Sequence, residues 1–110
     1  MNYNINGHLD LMSSEEYLRY ACDKIVILNQ HITKLWGNPE VHPKLTIKNK
    51  LKFRDFFNEA KYLSEDIIFL DNNDQMVDKD SLDSIVKEIL DLMKLARSIV
   101  DIVRDILKKD

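Results

Sequence analysis

The sequence predicts an all-α protein: one domain over residues 1–110, built as an up-down-up antiparallel bundle of three long helices. Three stretches repeat apolar residues three and four positions apart, which is the spacing of one helix face. Only two glycines and two prolines occur, whereas a β-rich fold would need more turn residues. We expect helices at about 14–36, 49–70 and 79–108, after a flanking arm over residues 1–12 that could hold a hairpin at residues 6–7 or an extra turn.

The first helix has both a start and a stop signal. Ser13 and Glu16 form a capping box, and Met12 is placed to pack on Tyr17 as a hydrophobic staple. Gly37 is expected to end the helix as a left-handed cap. The apolar stripe of this helix consists of Leu18, Ala21, Ile25, Leu28, Ile32 and Leu35.

The entrance to the second helix is ambiguous. Residues 44–54 alternate between basic and apolar side chains, the pattern of a half-buried strand with one cationic face. On a helical wheel Ile47 and Leu51 fall well outside the apolar stripe that follows them. We therefore expect an irregular segment up to about Asn49, with a hairpin at residues 48–49 left open. The stripe itself is Phe53, Phe56, Phe57, Ala60, Leu63, Ile67 and Leu70.

The third helix, with Asp78 or Asp80 as its N-cap, carries two adjacent apolar seams. The first is Leu82, Val86, Ile89, Met93, Ala96, Val100, Val103 and Leu107; the second is Ile85, Leu92, Leu95, Ile99, Ile102 and Ile106. Together they span roughly 240° of the helix, so it must be covered on two sides. The third helix is also expected to be longer than the other two by about two turns, and the arm or another subunit would cover the apolar residues of these turns. Trp36 is expected to cover one end of the bundle.

The residues that support catalysis or metal binding are sparse in this chain. His8, His31 and His42 form no Glu-x-x-His or His-Glu-x-x-His motif, and two glycines cannot build a phosphate loop. The polar loop at residues 71–78 does not continue as a calcium loop, because Met76 stands at the glycine position and Leu82 at that of the closing glutamate. Cys22 lies on the flank of the first stripe, where it is expected to pack as a small hydrophobe. We expect no enzyme, no metal and no cofactor.

The compartment is predicted from what the sequence lacks. A single cysteine allows no internal disulfide, the first twelve residues do not resemble a signal peptide, and no apolar run is long enough to span a membrane. These features predict a cytosolic protein that does not bind membranes. The Asn-, Ile- and Lys-rich, Ala-poor composition suggests a bacterial or phage source.

Protein binding is the predicted function: an adaptor, or an inhibitor of the immunity, antitoxin or phage type. The expected surface is the second seam of the third helix, which could also form a homodimer: Leu92, Leu95, Ile99, Ile102 and Ile106. The opposing interpretation is that both seams serve the three-helix core.

The alternative function is nucleic-acid binding through the basic segment. Its residues are Lys44, Lys48, Lys50, Lys52 and Arg54. The net charge of −3 and the acids that follow, Asp55 and Glu59 among them, disfavour binding to a long polyanion. If the segment has no binding role, these lysines stay in water while Leu45 or Ile47 packs under the end of the bundle.

Overall fold

The computed structural model describes residues 14–72 and 79–108 of the chain. They form three helices, α1 (Ser14–Trp36), α2 (Ile47–Asn72) and α3 (Lys79–Lys108). A 3-10 turn at His42–Lys44 lies between α1 and α2, and the described ranges contain no strand. The predicted all-α fold of three long helices is confirmed.

Each helix packs against both of the others, and two contacts fix their directions. Trp36, at the end of α1, has its ring centroid 5.1 Å from that of Phe53, near the start of α2. The Lys52 Nζ donates a hydrogen bond of 3.0 Å to the hydroxyl of Ser98, in the second half of α3. Thus α2 runs antiparallel to α1 and α3, as in an up-down-up bundle.

The predicted stripes of α1 and α2 form the core together with both seams of α3, except for Leu107, which is 41% exposed. Because α3 packs against α1 and α2 at once, both of its seams contribute to the core. This arrangement agrees with the interpretation that both seams serve the three-helix core. The fully buried residues with the largest side chains are Tyr17, Phe53, Phe56, Ile32, Ile89, Leu92, Ile99 and Val41. The predicted excess of about two turns holds against α1, since α3 has 30 residues and α1 has 23. Against α2, which has 26 residues, α3 is longer by only about 6 Å, or one turn.

The predicted start of α2 is wrong by two residues, because the helix begins at Ile47 and runs to Asn72. Thr46 caps it: the Thr46 Oγ1 accepts the backbone N–H of Asn49 at 3.1 Å. Ile47 and Leu51 are 79% and 43% exposed, so lying off the buried stripe did not require a break in the helix. Leu45 packs into the core, and neither the strand nor the hairpin forms.

The predicted left-handed cap at Gly37 is also wrong, because its φ lies outside the left-handed region. The chain leaves α1 through backbone hydrogen bonds instead: the Gly37 N–H donates to the Thr33 carbonyl at 3.1 Å, and the Asn38 N–H to the Leu35 carbonyl at 3.3 Å. The Asn38 side-chain oxygen then accepts the Glu40 N–H at 2.8 Å. This Asx turn reverses the chain without a glycine conformation.

Several predictions fall outside the described residues. These are the arm over residues 1–12 with its hairpin, the Ser13 capping box, the calcium-loop comparison over most of 71–78, and an N-cap at Asp78. Asp80 is not the N-cap, because α3 begins at Lys79 and Asp80 lies in its first turn.

Candidate protein-binding site

An apolar pocket of about 400 Å³ opens at the end of the bundle where α1 ends and α2 begins. We call it the Trp36 pocket. Its volume falls within the range of ligand and side-chain pockets in proteins. It is lined by Trp36, Ile47, Lys50, Leu51, Phe53, Arg54 and Phe57.

The floor of the Trp36 pocket is a cluster of aromatic rings. The ring centroid of Trp36 lies 5.1 Å from Phe53 and 6.5 Å from Phe57. The His42 ring packs edge-on against Trp36 at 4.4 Å, and its Nδ1–H donates to the Trp36 carbonyl oxygen at 3.0 Å. Since one side chain holds both the ring and the backbone of Trp36, the indole is fixed in place before any ligand binds.

The mouth of the pocket combines exposed apolar residues with cations. Ile47 and Leu51 line it and remain largely in contact with water. Lys50 and Arg54, both exposed, line the pocket one helical turn apart. Among the described residues, no carboxylate belongs to the lining. The site is therefore an apolar recess with a positively charged rim.

The helix divides the predicted nucleic-acid-binding residues between two sides. At 100° per residue, Lys50 and Arg54 lie 40° apart, as do Lys48 and Lys52, but the pairs are about 160° from each other. The Lys52 Nζ is bonded to Ser98 on α3, and Lys44 precedes the helix in the 3-10 turn. The single cationic face expected of a strand is not formed.

The predicted partner-binding residues of α3 lie mostly inside the bundle. Leu92 and Ile99 are buried in the core, and Leu95, Ile102 and Ile106 are half-buried and pack against it. A partner could touch only the edges of these last three side chains. The second seam is thus not the continuous free surface that the interface hypothesis requires.

Ile47 and Leu51 line the pocket mouth but were not among the predicted binding residues. A signal for them was present, since the helical wheel already placed both away from the buried stripe. A helix that continues through Ile47 must present them to solvent. Thr46 followed by Asn49 was the local evidence for such a start.

Charge is strongly polarised along the bundle. If each helix is divided at its midpoint, the half that holds the Trp36 pocket, including the α1–α2 connection, carries ten Lys and Arg against five Asp and Glu. The other half of the described chain carries ten Asp and Glu against five Lys and Arg. The two halves therefore have opposite net charges of equal size.

Titratable side chains also line grooves between α2 and α3. Two such grooves share Glu59 and Tyr62. The lining of one continues with Asp55, Asn58, Lys94 and Leu95, and that of the other with Leu63, Glu88, Asp91 and Leu92. Within residues 14–72 and 79–108, no three His, Cys, Asp or Glu side chains are grouped so as to hold a metal ion. Cys22 is half-buried against the core.

Comparisons with protein-family models, with curated proteins and with solved structures gave no match to this chain. Among the described helices, none combines the length and the apolar character needed to cross a membrane.

Proposed function

We propose that this protein acts without catalysis, by binding another protein at the Trp36 pocket. The observation that carries the proposal is the exposure of Ile47 and Leu51 beside a preformed aromatic recess. Contiguous apolar surface is costly to leave in water, and on small proteins it commonly marks an interaction site. An adaptor or an inhibitor would use such a surface.

The chemistry of the pocket defines the partner that it fits. The aromatic floor favours an apolar side chain that can be fully withdrawn from water. Lys50 and Arg54 at the rim favour carboxylates next to that side chain. An amphipathic helix with one exposed apolar residue and an acid one turn away satisfies both requirements.

The lining supports binding rather than chemistry. Aromatic and aliphatic side chains make up five of the seven described residues that line it, and the other two are the rim cations. A pocket of this composition offers hydrophobic contact and charge pairing, which are the two main elements of protein recognition.

A peptide selection tests the proposal, with the chain's single tryptophan as the reporter. Peptides selected from a phage-displayed random library on the purified protein should combine apolar and acidic residues and should change Trp36 fluorescence. Leu51→Arg should weaken their binding at least about tenfold by placing a charge at the pocket mouth. Leu90→Arg, at an equally exposed leucine on α3, is the matched control and should bind normally. Peptides that bind both variants equally well would contradict the proposal.

Nucleic-acid binding remains a second candidate because ten cations are gathered in the Trp36 half of the bundle. Fluorescence anisotropy with labelled single- and double-stranded oligonucleotides, at about 50 and 200 mM salt, distinguishes the two functions. Under our proposal the oligonucleotides do not bind. Micromolar binding that collapses at the higher salt, and is lost in the Lys48→Glu/Lys52→Glu variant, would instead assign the basic segment to nucleic acid.

A further inference from the structure

The charges of α2 run against the dipole of their own helix. Residues 47–54 contain four cations and no acid, whereas residues 55–72 contain five acids and one lysine. A helix is favoured by acids near its N-terminus and cations near its C-terminus, because the backbone dipole is positive at the N-terminus. The sequence of α2 has the opposite order. Departures from local rules of this kind tend to occur where a protein has a functional surface.

The neighbouring helices do not resolve this arrangement. In the Trp36 half of the bundle, α2 lies beside the part of α3 that carries Lys94, Arg97, Arg104 and Lys108 against two acids. In the opposite half, the acids of α2 lie level with Asp80, Asp83, Glu88 and Asp91. Each half therefore concentrates charge of one sign. A molecule of reversed direction beside the bundle would bring opposite charges together at both ends.

The outer face of α2 carries a group that matches the Trp36 pocket. Glu65 is eighteen residues after Ile47, and Ile68 is eighteen residues after Lys50, which is five whole turns in both cases. Glu65 and Ile68 therefore lie on the same side of α2 as the residues of the pocket mouth, but at the other end of the helix. Ile68 is 51% exposed and Glu65 is exposed. Together they form an apolar side chain with an acid one turn away, the chemistry that the pocket requires.

The spacing allows both pockets of a pair to be filled at once. If two α2 helices lie antiparallel about a two-fold axis near Asn58, Ile68 of each copy is level with residue 48 of the other. That level lies between Ile47 and Leu51 at the pocket mouth. Glu65 is then level with residue 51, between the rim cations Lys50 and Arg54. A two-fold interface of this kind is self-complementary, as homodimers require.

We propose that the partner bound at the Trp36 pocket is a second copy of this chain, with the two α2 helices antiparallel. This inference rests on the proposed function, since it names the occupant of the same site. Ile68 of each copy fills the pocket of the other, and Glu65 pairs with Lys50 and Arg54. The interface lies on α2, not on the second seam of α3.

A charge-swap experiment tests this pairing. In Lys50→Glu/Arg54→Glu, acids would face Glu65 at both sites of a homodimer, and in Glu65→Lys, cations would face the native rim cations. Each variant alone should associate at least about tenfold more weakly than the native chain. In an equimolar mixture the heterodimer regains opposite charges at both sites, so association should return. Sedimentation equilibrium up to about 100 μM would detect pairing of micromolar affinity.

The variants are designed so that unfolding cannot mimic the result. All three positions are exposed, and each substitution brings α2 closer to its favoured dipole order, so circular dichroism should show intact helices. A matched pair of control variants lies on the other helices: Arg97→Glu/Arg104→Glu on α3 and Asp23→Lys on α1. They change the same numbers of charges, in the same halves of the bundle, as the α2 variants do. These controls lie off the α2 interface and affect only the longer-range attraction between the halves. Each should therefore associate more strongly than the α2 variants.

Three outcomes would overturn the inference: a native chain that is monomeric at that concentration, swapped variants that pair as well as the native chain, or a mixture that stays monomeric. Ile68→Asp, which changes an exposed residue, should independently abolish association. A monomeric chain whose Trp36 pocket still binds acidic, apolar peptides would contradict self-pairing and leave the proposed function intact. A monomeric chain whose pocket selects no such peptide would contradict both.

Discussion

The Thr46 hydroxyl accepts the backbone N–H of Asn49 at 3.1 Å and so fixes the first turn of α2. The Thr46 carbonyl accepts the Lys50 N–H at 2.9 Å, which continues the same turn. Because the helix starts here, Ile47 and Leu51 face outward and form the mouth of the Trp36 pocket. One capping interaction thus connects the local sequence to the candidate binding surface.

Thr46→Ala should lower the free energy of unfolding by about 1 kcal/mol, because the first-turn N–H groups lose their side-chain acceptor. Thr46→Ser keeps a hydroxyl at the same position and should unfold nearly as the native chain does. Urea unfolding followed by circular dichroism measures both variants. An equal loss in the serine variant would show that the methyl group, rather than the cap, is responsible.

Gly37→Ala should raise the free energy of unfolding by about 0.4–1 kcal/mol, because alanine restricts the unfolded chain. The backbone at Gly37 is outside the left-handed region, and an added Cβ would meet only the Thr33 carbonyl oxygen, at an ordinary 3.6 Å. Thermal unfolding provides the measurement. A left-handed cap would give the reverse result, a destabilised alanine variant and a tolerated Gly37→Asn.

Ile89→Ala should lower the free energy of unfolding by about 2–5 kcal/mol, because it leaves a cavity at a fully buried position of the core. Leu63→Ala, on the buried face of α2, should have a loss in the same range. Ile47→Ala is the matched control for an exposed isoleucine and should change stability by less than about 0.5 kcal/mol. A large loss in the Ile47 variant, measured at a concentration where the chain is monomeric, would contradict its exposed position.

Tyr17→Phe should leave the protein equally or more stable at neutral pH. The Tyr17 ring is fully buried, and its hydroxyl has no hydrogen-bond partner among the described residues. A buried hydroxyl without a partner costs free energy that phenylalanine avoids. A loss above about 1 kcal/mol would show that the hydroxyl is hydrogen-bonded in solution.

The same residue makes stability depend on alkaline pH. Burial raises the pKa of Tyr17 far above its ordinary value, and the neighbouring Tyr20 and Asp83 act in the same direction. The fold thus favours the protonated phenol, so this contribution is complete below about pH 10, the pKa in the unfolded chain, and is lost as the pH rises above it. Tyr17→Phe should reduce that alkaline loss, whereas Tyr62→Phe, at an exposed tyrosine, should not.

The stripes of α1 and α2 could be predicted because helical periodicity is a property of the sequence alone. Ile25, Ile32, Leu63 and Ile67 repeat at helical spacing, and all four are buried. The start of α2 was harder to predict. Its alternation of lysines with Ile47 and Leu51 fits a strand as well as it fits a helix whose exposed face happens to be apolar.

The candidate site could not be predicted from periodicity, because it depends on how separate elements meet. Trp36 and Phe53 are seventeen residues apart, and only the Asx turn at Asn38 and the 3-10 turn bring their rings to 5.1 Å. The two seams of α3 also have the same apolar character, so the sequence does not distinguish them. Whether the other helices cover one seam or both depends on their positions in the bundle. In the structure α1 and α2 together pack against both.

The sequence by itself determined that this protein is a bundle of three helices, and which face of α1 and of α2 is buried. Apolar residues at helical spacing must be withdrawn from water together, so the pattern alone selects the helix and its inner face. Tertiary structure decided that the two seams of α3 serve the core and that an open apolar surface on α2 lies beside Trp36. That outcome depends on contacts between residues far apart in the chain, because a helix covers only the apolar residues that its direction and position allow it to reach.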